Sequence, residues 1–350
     1  MTRDDTDRYM FATAEVAACV SADGAELCAL RDGTGADYLW PADPVWPRHA
    51  PVLFPIVGRL RGDTLVHRGR DYRLTQHGFA RDRRFAWIER SPTGCLLVLN
   101  DDAQTRAMYP FPFRFEVRYA VAGAALEVTF TVTNTGDETL PASMGAHPAF
   151  RWPLVPGAAK AAHALTFAAE ETGPMRALAD GLLTGTDRPS PITGRRLALA
   201  EDLFAADALI LPHPASRSVR FAAAEGPALT VAWEGFTQLG LWSRAGGDFL
   251  CIEPWRGMAS PADFVGEFSQ KPWLMLIAPG GEPSCRPPDH GWSIANGGNR
   301  SRAADCGFQS RIRCAPRRMT RVLVQDTHTS ALLSYYCMLD KCNNCQSNLQ

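Results

Sequence analysis

Two histidines and one glutamate stand far apart in the chain, each beside Gly or Pro in an otherwise apolar setting: His77, His147 and Glu253. A carboxylate and an imidazole can together take one proton from a substrate and supply another. Small or rigid neighbours fix the backbone without crowding a ligand. The three segments therefore predict one site for acid–base chemistry, and no metal or nucleotide fingerprint in the sequence competes with it.

Glu253 ends an apolar run, Phe249–Ile252, that is typical of a buried strand. A carboxylate in such a place needs a partner or a chemical role, and burial would raise its pKa toward the range that suits a general base. The alternative is a structural ion pair with an arginine. His147 stands between Ala146 and Pro148, which leave room for a ligand, so we favour a functional histidine over a satisfied core histidine.

The candidates for substrate binding are Arg59, His77, Asp207 and Trp242. Arg59 has a planar fork of donors for substrate oxygens, but it also fits an ordinary surface arginine. His77 could donate to a sugar hydroxyl or be an exposed loop residue. Asp207, at the start of a predicted strand, could accept hydrogen bonds from a diol or have no role. Stacking on a sugar face and packing in the core are equally good interpretations of three tryptophans, Trp40, Trp242 and Trp255.

The composition limits the class of protein. With 46% hydrophobic residues among 350, the chain can bury a sizeable core. The net charge of −1 argues against a nucleic-acid partner and an anionic membrane surface. The charged start, Met1–Arg8, lacks the apolar stretch of a secretory signal, and no run approaches the roughly 18 apolar residues that span a bilayer. We therefore expect a cytoplasmic protein without membrane contact.

The elements that must position these residues are strands. Phe113–Tyr119 alternates apolar and polar residues, and after a turn Leu126–Val132 does the same. Short apolar runs such as Cys95–Leu99, Ala208–Leu211 and Leu239–Trp242 fit buried strands, and frequent Gly and Pro interrupt most helical windows. Many short strands with frequent turns predict an all-β protein built as an antiparallel β-sandwich.

The end of the chain differs from the rest. After residue 282 prolines cluster and the alternation stops, and residues 291–350 hold eight Lys and Arg against three Asp and Glu. We predict one domain over residues 1–282 and a tail over 283–350 that is irregular, disordered or foreign to the native protein. Cys342 and Cys345 have the spacing of a zinc pair, but no second pair accompanies them. The cysteines of the domain are interpreted as reduced core residues: Cys19, Cys28, Cys95 and Cys251.

Four motifs, in order, resemble the aldose 1-epimerase (galactose mutarotase) superfamily, most closely its short bacterial branch: Phe54–Arg59, His77–Asp82, His147–Phe150 and Ile252–Gly257. The resemblance covers roughly residues 10–282. It implies a large antiparallel β-sandwich with a cleft across one sheet. It also implies that Glu253 is the base, that His147 is the acid, and that the binding residues are Arg59, His77 and Asp207.

The activity implied is interconversion of the α and β anomers of a hexose by ring opening, without cofactor or metal, in a monomer or homodimer. The partner would be a small-molecule sugar. One alternative is a hexose-6-phosphate mutarotase, with cations supplied by Arg61, Arg81, Arg83 and Arg84, which otherwise form a solvated charge cluster. A second is a carbohydrate-binding protein without turnover. Glycoside hydrolysis ranks low, because it needs two suitably spaced carboxylates and only Glu253 is well supported.

Overall fold

The protein is built almost wholly from strands. The computed structural model describes residues 7–279 and, beyond them, the backbone of two short strands. In chain order the strands are β1 (Arg8–Ala12), β2 (Val16–Ser21), β3 (Leu27–Asp32), β4 (Val52–Leu53), β5 (Thr64–His67), β6 (Arg70–Arg73), β7 (Ala86–Ser91), β8 (Gly94–Asn100), β9 (Phe113–Ala122), β10 (Ala125–Asn134), β11 (Leu140–Ala142), β12 (Met144–Ala146), β13 (Ala149–Arg151), β14 (His163–Phe167), β15 (Met175–Ala179), β16 (Leu182–Arg188), β17 (Arg196–Ala198), β18 (Leu209–Leu211), β19 (Ser218–Ala223), β20 (Ala228–Trp233), β21 (Gln238–Trp242), β22 (Phe249–Arg256), β23 (Met275–Ile277), β24 (Trp292–Asn296) and β25 (Ala331–Leu333).

Helical structure among the described residues is brief. The α-helix α1 (Ala103–Arg106) has four residues and begins at a capping box formed by Asp102 and Thr105. Short 3₁₀ turns lie at Arg61–Asp63, Ala80–Asp82, Lys160–Ala162, Glu201–Phe204 and Phe268–Gln270. No helix in the described part of the chain has the length and apolarity needed to cross a membrane.

Two large antiparallel sheets form the architecture. The spatial order of the first is β17-β14-β19-β20-β24-β10-β9-β8-β7, with β25 also paired to β10. The order of the second is β16-β15-β18-β21-β22-β12-β4, with β13 also paired to β22. Three small sheets join β1-β2-β3, β5-β6 and β11-β23. The predicted all-β antiparallel sandwich is confirmed.

The core lies between the two large sheets, and the alternation of β9 shows how the sequence builds it. Every second residue of β9 from Phe113 onward is buried, and the residues between them are half-buried or exposed. Phe54, directly after β4 of the second sheet, stacks on Phe115 of β9 with ring centroids 4.6 Å apart. Phe115 in turn meets Phe130 of β10 edge-on at 5.8 Å. These aromatic contacts hold the sheets face to face.

One observation bears on the domain boundary predicted at residue 282, which stays a prediction. The strand β24 lies within the first sheet, pairing with β10 on one side and β20 on the other. Five residues among prolines and glycines give too little local pattern to predict a strand that long-range pairing creates. A boundary at residue 282 would remove this strand from between its two neighbours. Cys342 and Cys345 lie outside the described residues.

The cysteines of the domain follow the prediction. The four cysteines of the described body form no disulfide with one another; Cys19, Cys95 and Cys251 are buried, whereas Cys28 is half-buried. Burial raises the pKa of Cys28 and of Cys95 to about 12, because a thiolate would lose its hydration there. Thiols held neutral in this way behave as small apolar side chains.

Candidate active site

A cleft of about 630 Å³ crosses the second sheet. Its lining includes five of the six predicted site residues, which come from distant parts of the chain: His77, His147, Asp207, Trp242 and Glu253. Its size suits a small polar ligand such as a sugar. The structure therefore brings together the two histidines and the glutamate whose spacing in the sequence gives no sign of proximity.

Glu253 is held by the centre of the sheet. It lies on β22 opposite Gly240 of β21 and is only 1% exposed. Burial raises the pKa of its carboxyl group well above the ordinary value; the approach of the Trp255 indole N–H acts in the opposite direction, and the negative charge of Asp207 raises the pKa further. A carboxyl group in this place keeps its proton to higher pH than a surface glutamate does.

His147 lies in the break between β12 and β13, where Pro148 follows it and interrupts the ladder. Its Nε2 is 3.3 Å from Oε2 of Glu253. That Oε2 atom is buried and makes no hydrogen bond with the described residues, so the contact is close without being an aligned hydrogen bond. Burial lowers the pKa of His147 to about 3, and the positive charges of Arg81 and Arg48 act in the same direction.

These two directions decide how the pair holds its proton. Burial favours the uncharged form of each group, which is a protonated carboxyl on Glu253 and a neutral imidazole on His147. Transfer of a proton across the 3.3 Å gap would give a carboxylate beside an imidazolium. Two adjacent groups that can each hold a proton are what a reversible acid–base exchange requires.

His77 is fixed by two hydrogen bonds exchanged with Gly58. Its backbone N–H donates to the Gly58 carbonyl at 2.8 Å, and the Gly58 N–H donates to its Nδ1 at 3.1 Å. Because Nδ1 accepts, the neutral ring carries its proton on Nε2. Burial lowers the pKa of His77 well below 6.5, and the positive charge of Arg81 lowers it further. His77 is thus a neutral donor in the cleft wall, and it has a φ of 66°, a conformation that is uncommon outside glycine.

Asp207 lines the mouth of the cleft, where its side chain is exposed. Its φ of 86° is again in the left-handed region, and its Oδ1 accepts from the Ala208 N–H at 2.7 Å. This local hydrogen bond offsets part of the strain of the left-handed backbone and holds the carboxylate at the rim of the cleft.

Arg59 is the predicted binding residue that the structure does not bring into the cleft. Its Nε and Nη2 donate to the two carboxylate oxygens of Asp63 at 2.8 and 3.2 Å. Its side chain is 42% exposed and is absent from the cleft lining. A carboxylate four residues later offers the guanidinium a bidentate partner, and the sequence alone does not show that this local pairing prevails.

The three candidate tryptophans divide into two groups. Trp242 and Trp255 line the cleft. The indole of Trp255 lies over residues of the two strands that flank β22. A Cβ at Gly145 of β12 would come within 2.5 Å of it, and one at Gly240 of β21 within 2.4 Å. Those glycines make room for a flat apolar floor. Trp40, in contrast, packs on Phe249 at 5.1 Å and is a core residue.

Two residues of the cleft are not among the six site residues predicted from the sequence. Trp46 stacks on His147 with centroids 5.1 Å apart, and nothing in its local sequence distinguishes it from a surface tryptophan. Arg81, which the sequence offers only as a phosphate ligand or as part of a solvated cluster, lines the cleft, and its Nη2 donates to the Gln76 carbonyl at 2.7 Å. Burial lowers the pKa of Arg81 to about 10, so it remains a cation at neutral pH. Its place in the His77–Asp82 motif was the available signal.

Comparison with known proteins identifies the family of this chain. The family model described as Aldose 1-epimerase matches residues 7–272. The chromosomal protein LacX of Lactococcus lactis subsp. lactis is 33% identical over 268 residues, covering 73% of this chain and 90% of LacX. The plasmid form of LacX is 32% identical over the same length.

Solved structures share the fold. The galactose mutarotase related enzyme from Lactobacillus acidophilus is 31% identical with a TM-score of 0.75, covering 83% of this chain and 97% of that one. A galactose mutarotase-like protein from Lactobacillus casei ATCC 334 is 25% identical with a TM-score of 0.75, covering 83% and 100%. The resemblance drawn from the four motifs is confirmed: the chain belongs to the aldose 1-epimerase family and is an isomerase.

Proposed function

We propose that the protein interconverts the α and β anomers of a hexose, with Glu253 and His147 as its acid–base pair. The observation that supports this most directly is the 3.3 Å approach of His147 Nε2 to Glu253 Oε2 at the base of the cleft. Two groups that share one proton can each give and take it in turn.

The reaction needs no net change in protons. In the assignment implied by the family, the Glu253 carboxylate takes the proton of the C1 hydroxyl while the His147 imidazolium protonates the ring oxygen. The C1–O5 bond breaks and the C1 carbonyl forms, which leaves a protonated glutamate and a neutral imidazole. Rotation about C1–C2 presents the other carbonyl face, and closure returns both protons.

The pKa directions bear on which state comes first. Burial favours the neutral pair, and this is the pair present once the ring has opened. The ionic pair of the closed-ring complex then has the higher free energy. That free energy falls when hydroxyls of the sugar donate the hydrogen bonds that Glu253 Oε2 lacks. Starting instead from the neutral pair exchanges the two roles, with Glu253 as the acid.

The remaining lining would bind and orient the sugar. The Nε2–H of His77 would donate to a hydroxyl, Asp207 would accept from a diol at the mouth, and the indoles of Trp242 and Trp255 would pack on the C–H face. Arg81 takes the place that the sequence assigned to Arg59, because its cation lies in the cleft wall.

Two arginines in the cleft lining support the alternative of a hexose-6-phosphate mutarotase. Of the four arginines proposed for it, Arg83 is paired with Asp102 and Arg84 with Asp7, and Arg61 is not in the cleft lining. Arg81 does line the cleft, and Arg244 lies at its exposed rim. These two cations would suit a phosphate.

Polarimetry tests both forms of the proposal. Fresh α-glucose, α-galactose and their 6-phosphates are followed with and without protein. We expect the protein to speed the approach to the equilibrium rotation for at least one of them. Tight binding of a sugar with an unchanged rate would instead show a binding protein without turnover. A cytoplasmic location and a monomeric or homodimeric state remain predictions.

A further inference from the structure

Three different metal-binding side chains meet at the base of the cleft. Cys251 and Glu253 lie two residues apart on β22 and so project from the same face, and His147 approaches from the break between β12 and β13. One donor atom from each, a sulfur, a carboxylate oxygen and an imidazole nitrogen, lies within 4.8 Å of the other two. All three side chains are buried.

The distances fit a tetrahedral metal. Zinc bonds of about 2.0–2.1 Å to nitrogen and oxygen place those two atoms about 3.3–3.4 Å apart. His147 Nε2 and Glu253 Oε2 are 3.3 Å apart, so this edge already has the required length. A zinc–sulfur bond of about 2.3 Å places sulfur about 3.5 Å from each of them. The Cys251 sulfur, within 4.8 Å, therefore needs to move by little more than an ångström.

The carboxylate donor is also available. Glu253 Oε2 is buried without a hydrogen-bond partner among the described residues. Polar atoms buried in this way are uncommon unless something binds there. The cleft supplies a fourth position for a water or a sugar hydroxyl, which is the arrangement of three protein ligands and one open site.

A second cluster of the same chemistry provides a contrast. Glu26, Cys28 and His49 also lie within 4.8 Å of one another. There one carboxylate oxygen is already occupied: Glu26 Oε1 accepts from the N–H groups of His49 and Ala50 at 2.7 and 3.1 Å. This cluster ties a loop to β3, and it makes Cys28 the matched control for Cys251.

We propose that His147, Cys251 and Glu253 form a site at which a thiophilic divalent metal such as Zn²⁺ inhibits the protein. On binding, the Cys251 thiol and the protonated Glu253 carboxyl group each release a proton to solvent, and the metal takes the sulfur, the carboxylate oxygen and the imidazole nitrogen of His147. Both groups of the acid–base pair are then unable to exchange protons with a sugar. The inhibition rests on the proposed function, whereas the binding does not.

Equilibrium dialysis of the reduced full-length protein against ZnCl₂ tests the site without any activity. Wild type, Cys251→Ser, His147→Asn and Cys28→Ser are compared. The six cysteines after residue 282 are common to all four proteins, so zinc bound there cancels. We expect Cys251→Ser and His147→Asn each to lose one equivalent of zinc, or to bind it at least about 100-fold more weakly. Cys28→Ser should keep it.

Zinc binding by Cys251→Ser and His147→Asn equal to that of wild type would overturn the site. So would loss of the same equivalent in Cys28→Ser. His147→Asn keeps the test decisive should Cys251→Ser fold poorly.

Polarimetry on the zinc-loaded wild type then tests the inhibition. The rate should fall in proportion to occupancy and return when a chelator removes the metal. An unchanged rate when one equivalent of zinc is bound at this site would refute the inhibition. If the equivalent binds but the zinc-free protein has no activity on any sugar, the metal site stands and the proposed function fails.

Discussion

The indole of Trp46 stacks on the imidazole of His147, with ring centroids 5.1 Å apart and planes inclined by 28°. Trp242 meets the same imidazole edge-on at 5.7 Å. The carbonyl of Trp46 accepts from the indole Nε1–H of Trp40 at 2.8 Å, which fixes the stacking residue in turn. The imidazole is therefore held from two sides at its short distance from Glu253.

Replacing Trp46 with alanine should lower kcat for mutarotation about 10- to 100-fold with a smaller change in KM. Without the stacked indole, the imidazole of His147 would move out of the geometry needed for proton transfer, and small misplacements at a reacting centre lower the rate strongly. Steady-state polarimetry measures this. Trp87→Ala is the control, because Trp87 lies on β7, away from the cleft. Equal kcat values for the two variants would show that Trp46 does not position His147.

Glu253→Gln should retain the fold and sugar binding but lose about 10²- to 10⁴-fold in rate. The amide has nearly the same shape, yet it cannot carry the exchanged proton. The matched change Glu127→Gln, on β10 of the other sheet, should leave the rate unchanged. A near-normal rate for Glu253→Gln would mean that the buried carboxyl group is structural.

His147→Asn should act mainly on kcat, whereas His77→Asn should act mainly on KM. An acid or base is needed in the transition state, while a donor that binds substrate and transition state alike changes KM. His163 provides the control: it is buried outside the cleft, and its Nε2 accepts from the Leu154 N–H at 3.1 Å. His163→Asn should lower stability without selectively lowering kcat. The opposite pattern for His77 and His147 would exchange their roles.

Glu253→Gln should also change how stability depends on pH. The pKa of Glu253 is raised in the folded state, so above the ordinary value of 4.5 the unfolded chain releases a proton that the folded protein keeps. This lowers the wild-type free energy of unfolding as pH rises toward the raised pKa. Glutamine does not titrate, so the stability of the variant relative to wild type should increase as the pH rises above 4.5. Urea unfolding measures it, and an advantage that stays constant would show an ionised Glu253 in the folded protein.

Two truncations should separate β24 from the rest of the tail. A chain ending at Glu282 loses the strand that joins β10 to β20, leaving two ladders unpaired. We expect its Tm to fall by more than about 5 °C, which corresponds to roughly 2 kcal/mol or more. A chain ending at Arg300 should keep most of the stability. Thermal melts of both decide it, and equal melting temperatures would show that β24 adds nothing to the sheet.

Local patterns in the sequence determined the strands and the candidate chemistry. The alternation of β9 and the buried run that carries Glu253 are visible because the side-chain period of a strand is two and one face must be apolar. The histidines beside Gly and Pro were identified for a similar reason, since a ligand site needs rigid, uncrowded backbone. These signals depend only on neighbouring residues.

Only the tertiary structure decided which of those residues meet. Arg59 pairs with a carboxylate four residues away, and Arg81 lines the cleft. The indole of Trp46 stacks on the imidazole of His147. Each outcome depends on competition between partners that are distant in sequence, which no local pattern records. The raised pKa of Glu253 and the lowered pKa of His147 arise in the same way: both follow from burial, and burial is a property of the folded chain.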